Sequence, residues 1–108
     1  LRRWTLNLAY ELMEEFPMMD RSAAFRQSHV VRRLLEALGK GIVEFEYLKV
    51  NGEWRTAVGT LSEELIPPQD MPSERNLPKQ RNNPLVFCYY DLERRGWRSF
   101  RAQQVRTD

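Results

Sequence analysis

Apolar side chains in the N-terminal third of the chain recur at helical spacing. Trp4, Leu8, Leu12 and Phe16 come at every fourth position with Ala9 beside them, while Arg3, Asn7, Glu11 and Glu14 take the opposite face. This pattern predicts a helix over residues 2–16. Pro17 ends it, because a residue that precedes proline is pushed out of the helical region. A second stripe follows in Ala23, Val30, Val31, Leu34, Ala37 and Leu38. Asp20 or Ser22 can cap the free amides of its first turn, and Gly39 and Gly41 bracket its end. Phe25 lies off the stripe, so this helix is expected to be covered on two sides, by the first helix and by a sheet.

The period then falls to two. Over residues 42–50, Val43, Phe45 and Tyr47 alternate with Glu44 and Glu46, and Asn51-Gly52 follows as a hairpin signal. A two-residue type I′ turn there would set Val50 opposite Glu53, Lys49 opposite Trp54 and Phe45 opposite Val58. Val43, Phe45, Tyr47, Trp54, Thr56 and Val58 then share the inward face. Residues 62–84 carry Pro67-Pro68, Pro72, Pro78 and Pro84 among mostly polar neighbours and read as a long loop. Residues 85–92 form a β-prone run, Glu93 to Gly96 turn the chain, residues 97–102 return, and Val105 is expected to fold back as a plug. The fold class is α+β: two N-terminal helices packed on a small antiparallel β-barrel. One domain is expected over residues 1–108, with the helical pair in 1–41 and the barrel, interrupted by the 62–84 loop, in 42–108.

Composition narrows the function classes. A chain of 108 residues with 42% hydrophobic and 11% aromatic side chains suits one globular core. No stretch approaches the ~20 apolar residues of a membrane helix. Residues 1–20 include Glu11, Glu14 and Glu15 where a leader would be apolar. The single cysteine, Cys88, fits a reducing compartment, and the protein is expected to be cytoplasmic and away from membranes. Net charge is only +2, yet fourteen of the seventeen cations are arginine, the planar fork suited to phosphate and carboxylate.

Catalytic and metal chemistries find little to work with, and neither enzyme activity nor a cofactor is expected. One His and one Cys, His29 and Cys88, cannot build a zinc site, and His29 falls on the polar face of the second helix. The glycines are scattered rather than gathered into a phosphate loop. Glu44 and Glu46 lie roughly 7 Å apart on one strand face, where they read as a solvated pair beside Arg55. The basic segment is more suggestive. Arg94, Arg95, Arg98, Arg101 and Arg106 follow one another without an intervening acid, close to Trp97, Tyr89 and Tyr90. Arginines and aromatics on a small barrel hold single-stranded nucleic acid by neutralising phosphates and stacking bases. The candidate site is therefore Arg94, Arg95, Arg98, Arg101 and Trp97, for single-stranded nucleic acid or a nucleotide-like anion. The same residues also read as an ordinary soluble hairpin with Trp97 and Phe100 in the core. In that case the barrel edges or the proline loop serve a protein partner or a second copy.

Residues 46–61 (Glu-Tyr-Leu-Lys-Val-Asn-Gly-Glu-Trp-Arg-Thr-Ala-Val-Gly-Thr-Leu) and 89–101 (Tyr-Tyr-Asp-Leu-Glu-Arg-Arg-Gly-Trp-Arg-Ser-Phe-Arg) resemble a WYL-related family of small bacterial proteins with an Sm-like, SH3-like barrel. Ser22-Ala23-Ala24 and Lys40-Gly41 resemble its helical lead-in. The resemblance covers most of the chain apart from 62–84. It implies an SH3-like barrel, and through WYL domains a module that senses ligands or nucleic acid. Arg98, Phe100 and Arg101 match the Arg-x-Phe-Arg segment of those domains. The Trp-Tyr-Leu triplet is replaced by Leu85-Val86-Phe87, and His29 stands where the family's helix often carries Trp.

Overall fold

A computed structural model describes residues 2–107. Helix α1 spans Arg2–Glu15 and helix α2 Arg21–Lys40, followed by strands β1 (Val43–Leu48), β2 (Trp54–Thr60), β3 (Val86–Asp91), β4 (Gly96–Arg101) and β5 (Val105–Arg106). The strands form one antiparallel sheet in the order β4-β3-β2-β1-β5. The expected α+β architecture is therefore present, and the strands expected over 42–50, 53–61, 85–92 and 97–102 each lie within two residues of those bounds.

Both ends of α2 are tied down. At its start the Asp20 side chain accepts from the Ala23 amide at 2.8 Å, supplying the acceptor that a first helical turn lacks. At its end the orphan carbonyls find partners on the barrel. Leu61 N–H donates to Leu38 O at 2.8 Å, and the buried Thr60 hydroxyl donates to Gly41 O at 2.7 Å. In between, the Gln27 amide donates to the carbonyls of Ala102 and Val105, 2.7 and 2.8 Å away. These bonds hold the C-terminal turn against the helix, and Val105 is buried where it pairs with Tyr47. Both helices and all five strands contribute buried apolar side chains to one cluster, from Leu8 and Leu12 through Val31, Leu34 and Leu38 to Phe45, Tyr89, Phe100 and Val105. Phe45 meets Tyr89 and Phe100 edge-on at 5.0 and 5.6 Å, a favoured geometry for aromatic pairs.

The first hairpin differs from expectation by one residue. Val43 pairs with Gly59, Phe45 with Ala57, Tyr47 with Arg55 and Leu48 with Trp54. The turn is longer than a type I′ loop: Gly52 N–H donates to Lys49 O, Lys49 N–H donates to Glu53 O, and only Gly52 takes a positive φ, of 89°. Asn51 instead spends its side chain on the turn, accepting from the Glu53 amide at 3.0 Å. A three-residue loop closed by glycine in the left-handed region is the next commonest hairpin, and because strand side chains alternate, the slip exchanges faces. Ala57 and Gly59 are buried and Arg55 is mostly covered, while Trp54 is 45% exposed. Gly59 is required by its neighbour: a Cβ there would lie 2.5 Å from the Tyr89 ring.

Residues 62–84 form a strap containing three 3₁₀ turns across the outer face of β3 and β4. The Tyr90 hydroxyl donates to Asp70 Oδ2 and the Trp97 indole N–H to Asp70 O, each at 2.7 Å. No helix among the described residues is long and apolar enough to cross a membrane.

Candidate ligand-binding site

Two features stand out around the barrel. The first is a polar centre that an apolar core would not need. Asp91, fully buried, accepts from the Glu93 and Arg94 amides through Oδ1 at 3.0 and 2.8 Å. Its Oδ2 pairs with Arg55 Nη2 and lies 3.2 Å from the Tyr89 hydroxyl. Arg55 Nη1 donates to the Tyr47 hydroxyl at 3.2 Å, itself 3.1 Å from that of Tyr89. Burial alone opposes the Arg55 charge, but the oxygens of Tyr89, Tyr47 and Asp91 outweigh it and raise the guanidinium above its ordinary value. Burial, reinforced by the bond to Tyr47, pushes the Tyr89 hydroxyl well up. The charges are thus paired and the Tyr89 hydroxyl keeps its proton, as a covered network requires.

The second feature is a groove between the outer end of β1 with its hairpin loop and the free edge of β4. Its wider half, about 540 Å³, is walled by Val50, Leu77, Pro78, Trp97 and Arg98. Its narrower half, about 240 Å³, reaches Gln80, Val86, Phe100 and Arg101. Tyr47, Lys49, Val50 and Ser99 belong to both halves. Among the described residues lining it are three cations, Lys49, Arg98 and Arg101, and no carboxylate.

The arginines of the basic hairpin go to different places. Arg98 and Arg101 both reach the groove, although their strand partners, Tyr89 and Val86, place them on opposite faces of the β3–β4 ribbon. Arg94 lines a separate cleft of about 520 Å³ beside β2, where Glu53 and Glu93 offset Lys49, Arg55 and Arg94. Arg95 holds the left-handed position of the turn, with φ of 53°, and its charge acts on the Tyr90 hydroxyl. Arg106 stacks over the Trp54 ring at 3.6 Å and pairs with Glu46 at 2.9 Å. Arg55, read from the sequence as a neighbour of Glu46, is turned inward to Asp91 instead. Trp97 is half-buried, edge-on to Tyr90 at 5.7 Å, with its N–H held by the strap.

Lys49 escaped the sequence reading. A lysine beside an Asn-Gly turn looks like an ordinary hairpin shoulder, and only the closure of the barrel brings it opposite Arg98. His29 is exposed. Cys88 is half-buried in β3, where burial pushes its thiol up against the opposing effect of Arg81. Among the described residues, no three His, Cys, Asp or Glu side chains are placed to hold a metal ion.

In comparisons with known proteins, no curated protein and no solved structure matches the chain. A family match does, over residues 31–105, which takes in the second half of α2, strands β1 to β4, the strap and the first residue of β5 and leaves α1 outside. With more than half of its length matched, the chain belongs to the WYL_2 family, of Sm-like SH3 β-barrel fold.

Proposed function

We propose that the protein is a non-enzymatic binding module that takes an anionic ligand, nucleic acid or a nucleotide-like anion, in the groove between β1 and β4. The observation that carries this reading is the convergence of Arg98 and Arg101 on one groove whose lining holds no carboxylate, with Lys49 beside them in a 3.8 Å ion pair to Glu53. Arginines with no carboxylate in the groove lining raise the local concentration of an anion and bond to its phosphates. Membership of a family with an Sm-like fold supports a small binding or regulatory module. The turn arginines contribute less, because Arg94 shares its cleft with two glutamates.

The test is fluorescence anisotropy with a labelled single-stranded oligonucleotide at two salt concentrations. Arg98→Ala/Arg101→Ala should lower affinity about tenfold or more at low salt and flatten the salt slope by about 0.7 for each phosphate no longer neutralised. Arg94→Ala/Arg95→Ala should have a smaller effect, and thermal midpoints should stay where they are, because exposed charges contribute little to folding. No binding at low salt, or binding indifferent to salt and to both pairs of changes, would reject the anion reading.

A second reading rests on a different observation: the sheet ends at β4, whose outer edge has no partner strand among the described residues. An open edge can pair with another protein or a second copy. A mass that rises with concentration but not with falling salt would favour it.

A further inference from the structure

Resting on the anion reading of the groove, we infer that its ligand is a single-stranded nucleic acid held by its backbone across more than one phosphate, with base sequence left unread. Arg98 and Arg101 stand three residues apart, about 10 Å along the strand, and on opposite faces. Arg98 lines the wider half of the groove and Arg101 the narrower, with Lys49 in both, an arrangement suited to successive phosphates of a strand rather than to one.

Most of the groups suited to reading a base are already committed. The Asn51 amide donates to Glu53 Oε1 and its oxygen accepts from the Glu53 amide, at 2.9 and 3.0 Å. The Asn76 amide donates to Met71 O and its oxygen accepts from the Ser73 amide, each at 2.9 Å. The Tyr47 hydroxyl is held by Arg55 and Tyr89, and the Trp97 N–H by Asp70. Discrimination between bases needs side chains free to bond paired atoms on a base edge. Gln80, at the narrow end, and the Ser99 hydroxyl, in both halves, are the groups left for that purpose. Val50, Leu77 and Pro78 offer apolar contact that any base accepts.

The experiment compares labelled oligo-dT, oligo-dA and oligo-dC of about ten nucleotides at low salt. Adenosine monophosphate and a duplex serve as competitors, and the proteins are wild type, Arg98→Ala and Arg101→Ala. Affinities for the three oligonucleotides should agree within about threefold, each single change should weaken all three alike, and the mononucleotide should compete at least about a hundredfold more weakly. A preference beyond about tenfold for one base overturns sequence indifference; if the favoured base is adenine, Gln80 is the reader. A mononucleotide that competes as well as the oligonucleotide, or loss of affinity from only one of the two arginine changes, overturns the multi-phosphate span. A duplex that competes better overturns the single-strand assignment. No binding of any oligonucleotide at low salt removes the anion reading itself, and this inference with it.

Discussion

Asp91 gives each of its carboxylate oxygens two partners: two amides of the β3–β4 turn on one, Arg55 and Tyr89 on the other. A buried ion pair adds little over a well-packed apolar pair, but removing one partner strands a charge, at a cost of about 3–5 kcal/mol. Asp91→Ala should fall in that range by chemical denaturation. Replacing Arg55 by Met in the same chain should recover part of the loss, because no unpaired charge then remains. A single-variant cost below about 1 kcal/mol, or no recovery in the double, would show that the network is not held as described. The network was not legible in the sequence, for a specific reason. A one-residue error in the β1–β2 register turned Arg55 outward towards Glu46, and no local signal links Arg55 to an aspartate at the far end of β3. The apolar contributors were legible, since Phe45 and Phe100 are buried as their alternation with polar neighbours required.

At the scale of elements, the helices and strands followed from periodicity, and the turn did not. Asn51-Gly52 marks a hairpin in either geometry; which one forms depends on whether Asn51 takes a positive φ or bonds its side chain back to Glu53, as it does here. Proline and polar composition gave the strap as a loop, but not its attachment, since Asp70 meets Tyr90 and Trp97 only after β3 and β4 have paired. That attachment makes a pH prediction. Burial and the bond to Asp70 push the Tyr90 hydroxyl up to about 12, above the ~10 of an unfolded tyrosine. The folded state therefore keeps its proton where the unfolded state loses it. The stability from this bond is fully present below about pH 10 and is lost as pH rises through about 12. A tyrosinate absorbance titration of Tyr90→Phe should lack a step near pH 12, and proteolysis within 62–84 should be faster in that variant at neutral pH. An unchanged titration curve would contradict the Tyr90–Asp70 bond.

At the scale of the molecule, the groove is a product of closure: it needs the β1–β2 loop, the strap and β4 side by side, three segments far apart in sequence. Sequence reading could find Arg98 and Arg101 as cations on one strand, but not the lysine they face or the glutamates that accompany Arg94. The same closure bears on whether helices and barrel are one unit. The family match begins at residue 31, so α1 lies outside it. Even so, Leu8 and Leu12 of α1 sit in one buried cluster with barrel residues, and Trp4 approaches Phe87 of β3 to 5.9 Å between ring centroids. A shared core of this kind leaves neither part a face it can expose without cost, so unfolding is expected to be all-or-none. Helical circular dichroism and, in a Trp4→Phe background that leaves only Trp54 and Trp97, the tryptophan fluorescence of the barrel should therefore follow one denaturant transition. Leu12→Ala, which removes a fully buried side chain from the helix, should cost about 2–5 kcal/mol and shift both signals together. If the helical signal moved and the barrel signal stayed, α1 would be an appendage on an independently stable barrel, and the single-domain description would fail.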